Sequence, residues 1–168
     1  MQTLSRMRRN STNSQFITKI SSVAFLFLYE IATTQFGFLP PLLGLFFTFL
    51  ILEYNKKQKS YENFDISWYF CLALLLFTEQ IHGFYLFSSI VAFLLFFHFV
   101  VDWLILTLKL RNLLLVVFVA GGYTTTFLIN NIIAYTQNAQ FLNFDIECLF
   151  YIISESALAV VFLKERAL

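Results

Sequence analysis

The sequence predicts an all-α membrane protein: a polytopic bundle of six transmembrane helices with both termini in the cytoplasm. Three observations carry that prediction. Of 168 residues, 59% are apolar and 20% aromatic, and only 12% are charged, where a soluble domain carries about 25%. Lipid is the solvent that makes such a composition sensible, because a soluble fold this apolar has too few polar groups to cover its surface. The apolar residues fall into successive stretches separated by short polar ones, and the basic residues alternate between those separators.

Residues 1–15 form a polar N-terminal segment carrying Arg6, Arg8 and Arg9. The six-helix domain is expected over 16–163, with a basic tail at 164–168. The first apolar stretch runs from about Phe16 to Thr34. Its basic lead resembles a secretory signal, but Tyr29-Glu30 occupies the place of a small-residue cleavage site, so it reads as a retained helix. The second follows Pro40-Pro41 and reaches about Leu52; proline suits a helix start, where the first N–H groups lack intrahelical partners. A polar loop is expected from Glu53 to Asp65.

Segment three, Ile66 to Thr78, is short and approaches spanning length once Glu79 to Ile81 complete its last turn. Segment four covers about Phe84 to Leu106, and segment five Leu113 to Ile133 with Gly121-Gly122 inside it. A polar stretch from Asn130 to Asn143 leads to segment six, Ile146 to Leu163.

All eleven Lys and Arg residues lie in four clusters: Arg6 to Lys19, Lys56 to Lys59, Lys109 to Arg111, and Lys164 to Arg166. Two segments separate each cluster from the next, and the alternate loops near Phe36 to Leu39, Glu79 to Gly83 and Gln137 to Asp145 have none. This positive-inside pattern places the clusters, and with them both termini, on the cytoplasmic side of the membrane. It also requires segment three to cross.

Ionisable groups within apolar segments are the functional candidates. They are Glu30, Glu79, His82, His98, Asp102 and Glu155. Glu155 lies nine residues before Lys164, roughly 13 Å above the cytoplasmic boundary and near the midplane. There it reads as a hydrogen-bonded packing residue or a coupling site. His98 and Asp102, spaced i and i+4, share a helix face and are expected to pair. Glu79 and His82 fall at an outer turn, where interfacial water accounts for both, and Glu30 lies in the outer third of the first helix. Whether Glu30, Glu79, His82 and Glu155 converge on one outward cavity is left open by the sequence.

No cofactor or metal is expected: Cys71 and Cys148 are isolated, and there is no HExxH, phosphate loop or nucleophile elbow. An intramembrane enzyme would need two catalytic groups close at one depth, for which Glu155 and the His98/Asp102 pair are the only candidates, so an enzyme is not expected. The basic N-terminal cluster abuts a span and is explained by anionic lipid rather than nucleic acid. Ser88 and Ala92, and Ala120 to Gly122, have the small-residue spacing of helix–helix contacts.

Three features are similar to one known family. They are the proline-led second helix Phe38-Leu39-Pro40-Pro41-Leu42-Leu43, the acidic end of helix three with its Gly turn (Thr78-Glu79-Gln80-Ile81-His82-Gly83, then Ser88), and the last helix closing on Phe162-Leu163-Lys164-Glu165-Arg166. With the span count, they resemble the bacterial rod-shape-determining MreD family over nearly the whole chain. The family commonly has Asp where Glu79 stands, and often Leu-Gly where this chain has Phe84-Tyr85. The resemblance implies a non-catalytic component of the cell-shape and peptidoglycan synthesis machinery. The partners it implies are MreC-like and MreB-like proteins and the wall synthase/transpeptidase complex. It also implies a fold like the binding subunits of vitamin transporters, with Glu79 and His82 at the mouth of an outward cavity. A small-molecule binding or transport subunit is the alternative expectation.

Overall fold

The computed structural model describes residues 21–60 and 64–164, all of whose regular structure is helical. The Arg6 to Lys19 cluster, the start of the first segment and the tail beyond Lys164 lie outside the described residues. Helix α1 covers residues 21–35, α2 Leu43–Ser60, α3 Ile66–Ile81, α4 Ser88–Thr107, α5 Arg111–Thr136 and α6 Ile146–Leu163. Three of them, α4, α5 and α6, are long and apolar enough to cross a membrane, and α3 is a shorter apolar helix.

Local chemistry explains several boundaries. The Asp65 carboxylate accepts from the Ile66 N–H (2.8 Å) and the Ser67 hydroxyl (2.8 Å), capping the start of α3. α3 stops where Gly83 takes φ +75°, a left-handed conformation that glycine adopts without a Cβ clash. The Phe84 N–H then returns to the Glu79 carbonyl at 2.9 Å, closing the helix end. α5 ends in the same way, with Asn138 at φ 52° and the Ala139 N–H on the Ala134 carbonyl.

Three expected boundaries shift. α2 does not stop at Leu52 but continues to Ser60, because lysines are good helix formers and polarity alone does not end a helix. α4 starts at Ser88 rather than Phe84, because Phe84–Phe87 form a turn in which Phe87 takes φ 69°. α5 absorbs Asn130 to Thr136, expected as loop. Segments three and six have the expected limits.

α2 and α5 form the centre. α5 packs against α2, α4 and α6, and α2 also against α3 and α6. Small residues permit these approaches: a Cβ on Gly122 would come within 2.9 Å of the Phe47 ring. Leu43, Phe47, Leu75, Ala92, Leu115 and Phe118 are wholly buried. The outward surface is apolar too, with Leu106 and Ile146 each 82% exposed. A surface of that kind suits lipid rather than water.

Candidate functional site

Connections 36–42, 82–87 and 137–145 lie at one end of the bundle, and four of the six candidate groups, Glu30, Glu79, His82 and Glu155, follow from how that end is built. Glu79 is fully buried, not solvated at an interface as its position suggested. It sits in the last turn of α3, and its carboxylate faces the start of α4. Oε2 accepts from the Phe87 N–H (3.0 Å), and Oε1 from the Ser88 hydroxyl (3.0 Å) and the Ser89 N–H. The first amides of a helix have no intrahelical acceptor, so Glu79 serves as the cap of a neighbouring helix. It also holds the left-handed Phe87 in place.

Glu155 does the same for α2. Its carboxyl is wholly buried and accepts from the Leu45 N–H (2.9 Å) through Oε2 and from the Tyr123 hydroxyl through Oε1. Here too a left-handed residue, Leu42 (φ 53°), precedes the helix. The space is made by Gly44, whose Cβ, if present, would lie 3.1 Å from Glu155 Oε2 and 3.0 Å from the Tyr123 ring. Glu79 and Glu155 are thus each engaged by backbone of a helix start on another element.

Glu30 and His82 do come together. Glu30 Oε2 lies 3.9 Å from His82 Nε2. The Thr33 hydroxyl donates to the Glu30 carbonyl at 2.6 Å, so the 3.0 Å contact between Thr33 Oγ1 and His82 Nε2 assigns the ring proton to Nε2. Burial lowers the His82 imidazole below its ordinary 6.5, so the ring is neutral at pH 7. Among the described residues, the buried Glu30 carboxyl oxygens have no hydrogen-bond partner. Glu79 and Glu155 are not drawn into this pair by any hydrogen bond.

The expected His98–Asp102 pair is not formed. Residues Phe97–Val101 make a π-helical turn in the middle of α4, which changes the angle between positions four apart. Both side chains are exposed on the outside of the bundle, and His98 stacks edge-on against the Phe99 ring instead.

Six residues that build this site were not singled out as candidates from the sequence. Tyr123 is the donor to Glu155; a buried tyrosine hydroxyl needs an acceptor, and Glu155 was the mid-depth candidate. Gly44 makes the space. Asn130 accepts from the Tyr85 N–H at 2.8 Å, and Asn131 bonds both polar groups of Leu142, at 3.0 and 3.1 Å. Read as loop residues, the two asparagines gave no signal of reaching back to other turns. Tyr29 and Tyr151 complete the lacing, donating to the Pro40 and Gly37 carbonyls.

No protein-family model, curated protein or solved structure matches this chain. Among the described residues, no group of three or more His, Cys, Asp or Glu side chains is placed to hold a metal. A groove of about 270 Å³ between α1, α2 and α3, lined by Leu26, Phe49, Phe70 and Leu74 among others, includes none of the six candidates.

Proposed function

We propose that the chain is a non-catalytic, six-span component of the bacterial inner membrane, with both termini cytoplasmic, that assembles other proteins of the cell-elongation machinery through its helices. The observation that carries this reading is the use made of the buried carboxylates. Glu79 and Glu155 are engaged in fixing helix starts, which stiffens the bundle and leaves neither poised for proton transfer or nucleophilic attack. What remains to act is the outer surface. The similarity to MreD described above supports the same reading and names the expected partners, an MreC-like protein first. Depletion is expected to round rod-shaped cells, and the tagged chain to co-purify with that partner. Rods of normal shape after clean depletion sink the assignment.

A second reading, binding of a small molecule, draws on the unspent hydrogen-bonding capacity of Glu30 beside His82. It requires ligand-dependent thermal stabilisation of the detergent-purified protein, and a flat response across vitamins, amino acids and metals discards it.

A further inference from the structure

The outer face of α4 carries two ionisable side chains with nothing to meet them. His98 and Asp102 are exposed, and among the described residues neither has a hydrogen bond or an ion pair. They lie on a stripe with Val91 (41% exposed), Leu95 (43%), Phe99 (72%) and Leu106 (82%), while the opposite face, Ala92, Phe93, Phe96 and Leu104, is buried in the bundle. α4 is among the helices long and apolar enough to cross a membrane. An ionisable group on such a surface is expensive in hydrocarbon unless something pairs with it.

Depth rules out the cheap escape. Asp102 lies five residues before the end of α4 and His98 nine, roughly 7 and 13 Å into the helix. An aspartate has too short a stem to reach the headgroups, whereas lysine and arginine reach them readily. The π-helical turn Phe97–Val101 contains His98 and ends immediately before Asp102, breaking the regular α-helical ladder there. Such turns concentrate where a helix serves a specific contact.

We infer that this stripe is a docking face for a transmembrane helix of another protein, one that carries a lysine or arginine at the depth of Asp102. Charge complementarity selects that occupant. A second copy of the chain is a poor match: copies inserted in the same sense and related by a two-fold along the membrane normal bring equal depths together, so Asp102 meets Asp102. His98, about 6 Å deeper, offers a second polar contact to the same helix. The inference rests on the reading of the chain as a membrane-embedded assembly protein and names the chemistry of its partner.

The test uses the full chain reconstituted in phosphatidylethanolamine/phosphatidylglycerol liposomes with synthetic single-span Leu/Ala peptides. One carries a single lysine at the depth of Asp102, one leucine there, and one aspartate. Association is read by energy transfer between a dye on the chain and a dye on the peptide. The lysine peptide is expected to bind about tenfold more tightly than the leucine peptide, the scale of a polar contact between membrane helices. Asp102→Asn is expected to bring the two within about twofold, and Asp102→Lys to shift the preference to the aspartate peptide. Because Asp102 is exposed and, among the described residues, makes no hydrogen bond or ion pair, Asp102→Asn keeps the thermal midpoint of the parent, so a lost preference is not lost folding. Equal binding of the lysine and leucine peptides overturns the inference. So does a preference that survives Asp102→Asn, or chain–chain association stronger than either. The depletion experiment stands apart: rounded cells without a lysine preference remove this site alone, and a lysine preference with normal rods removes the cell-shape assignment alone.

Discussion

Replacing Glu79 by alanine strips the start of α4 of its acceptor. Two backbone amides, Phe87 and Ser89, lose their partner, together with the Ser88 hydroxyl, in a place where Glu79 and Ser88 are fully buried. The hydroxyl is free to rotate to another acceptor, but the amides are fixed. Each orphaned buried amide costs about 1–3 kcal/mol, and water entering the vacated space at the bundle end offsets part of the loss. A destabilisation of about 3 kcal/mol follows, or about a hundredfold in the folding equilibrium. Glu79→Gln keeps one oxygen for Ser89 but turns an N–H toward Phe87, so about 1–2 kcal/mol is expected. The assay is reversible unfolding of the detergent-solubilised protein by SDS titration, followed by circular dichroism, with amide hydrogen exchange as the local readout. Exchange is expected to speed up at Phe87 and Ser89 before it does in the core of α5. An alanine variant within about 1 kcal/mol of the parent, with unchanged exchange at those two amides, would refute the capping role.

Gly44→Ala places a Cβ 2.7 Å from Val119 and 3.0 Å from Tyr123; overpacking of about 1–3 kcal/mol outweighs a helix-propensity gain of about 1 kcal/mol, and SDS titration should show a net loss. Tyr123→Phe removes the donor to Glu155 Oε1 and is expected to cost about 1–3 kcal/mol in the same assay, whereas a neutral result means the hydroxyl is dispensable. At Phe87, half exposed with φ 69°, glycine should be more stable than alanine by about 1 kcal/mol, because only alanine keeps the left-handed strain. Because burial lowers His82 below 6.5 in the folded protein, the unfolded chain binds more protons as pH falls past that value. Stability is therefore held above pH 6.5 and declines below it, more in the parent than in His82→Gln; equal declines remove His82 as the cause.

The helices were largely legible because lipid-compatible stretches and punctuation leave strong marks. Asp65 before α3 and Gly83 after it are local signals that mark where the helix starts and stops. Where the reading went astray, the deciding interaction was distant or geometric. The lysines after Leu52 look like a loop, yet α2 runs through them. Phe84 to Phe87 are as apolar as the helix that follows, so nothing in their composition marks the turn that a buried carboxylate stabilises. The π-helical turn that spoils the His98–Asp102 pairing has no composition of its own. Glu79, Glu155 and Glu30 were recognisable as costly side chains, but the groups that engage the first two are mainly backbone amides, which every residue but proline possesses. The Glu30–His82 approach was open to suspicion from a shared end of the bundle, and Thr33 between them was not.

The bond from the Leu45 amide to Glu155 joins positions 110 residues apart, whereas the one from Ser89 to Glu79 spans ten. During synthesis at about 5–20 residues per second, the second forms almost at once and the first waits roughly 5–20 s. The α3–α4 corner is therefore an early unit of folding, and α2 is synthesised with its first turn unfinished. The arrival of α6 acts as a latch on a bundle otherwise already made. A ribosome paused ahead of Glu155 would leave α2 made but unlatched, its Leu45 amide still without the carboxylate that completes the helix start.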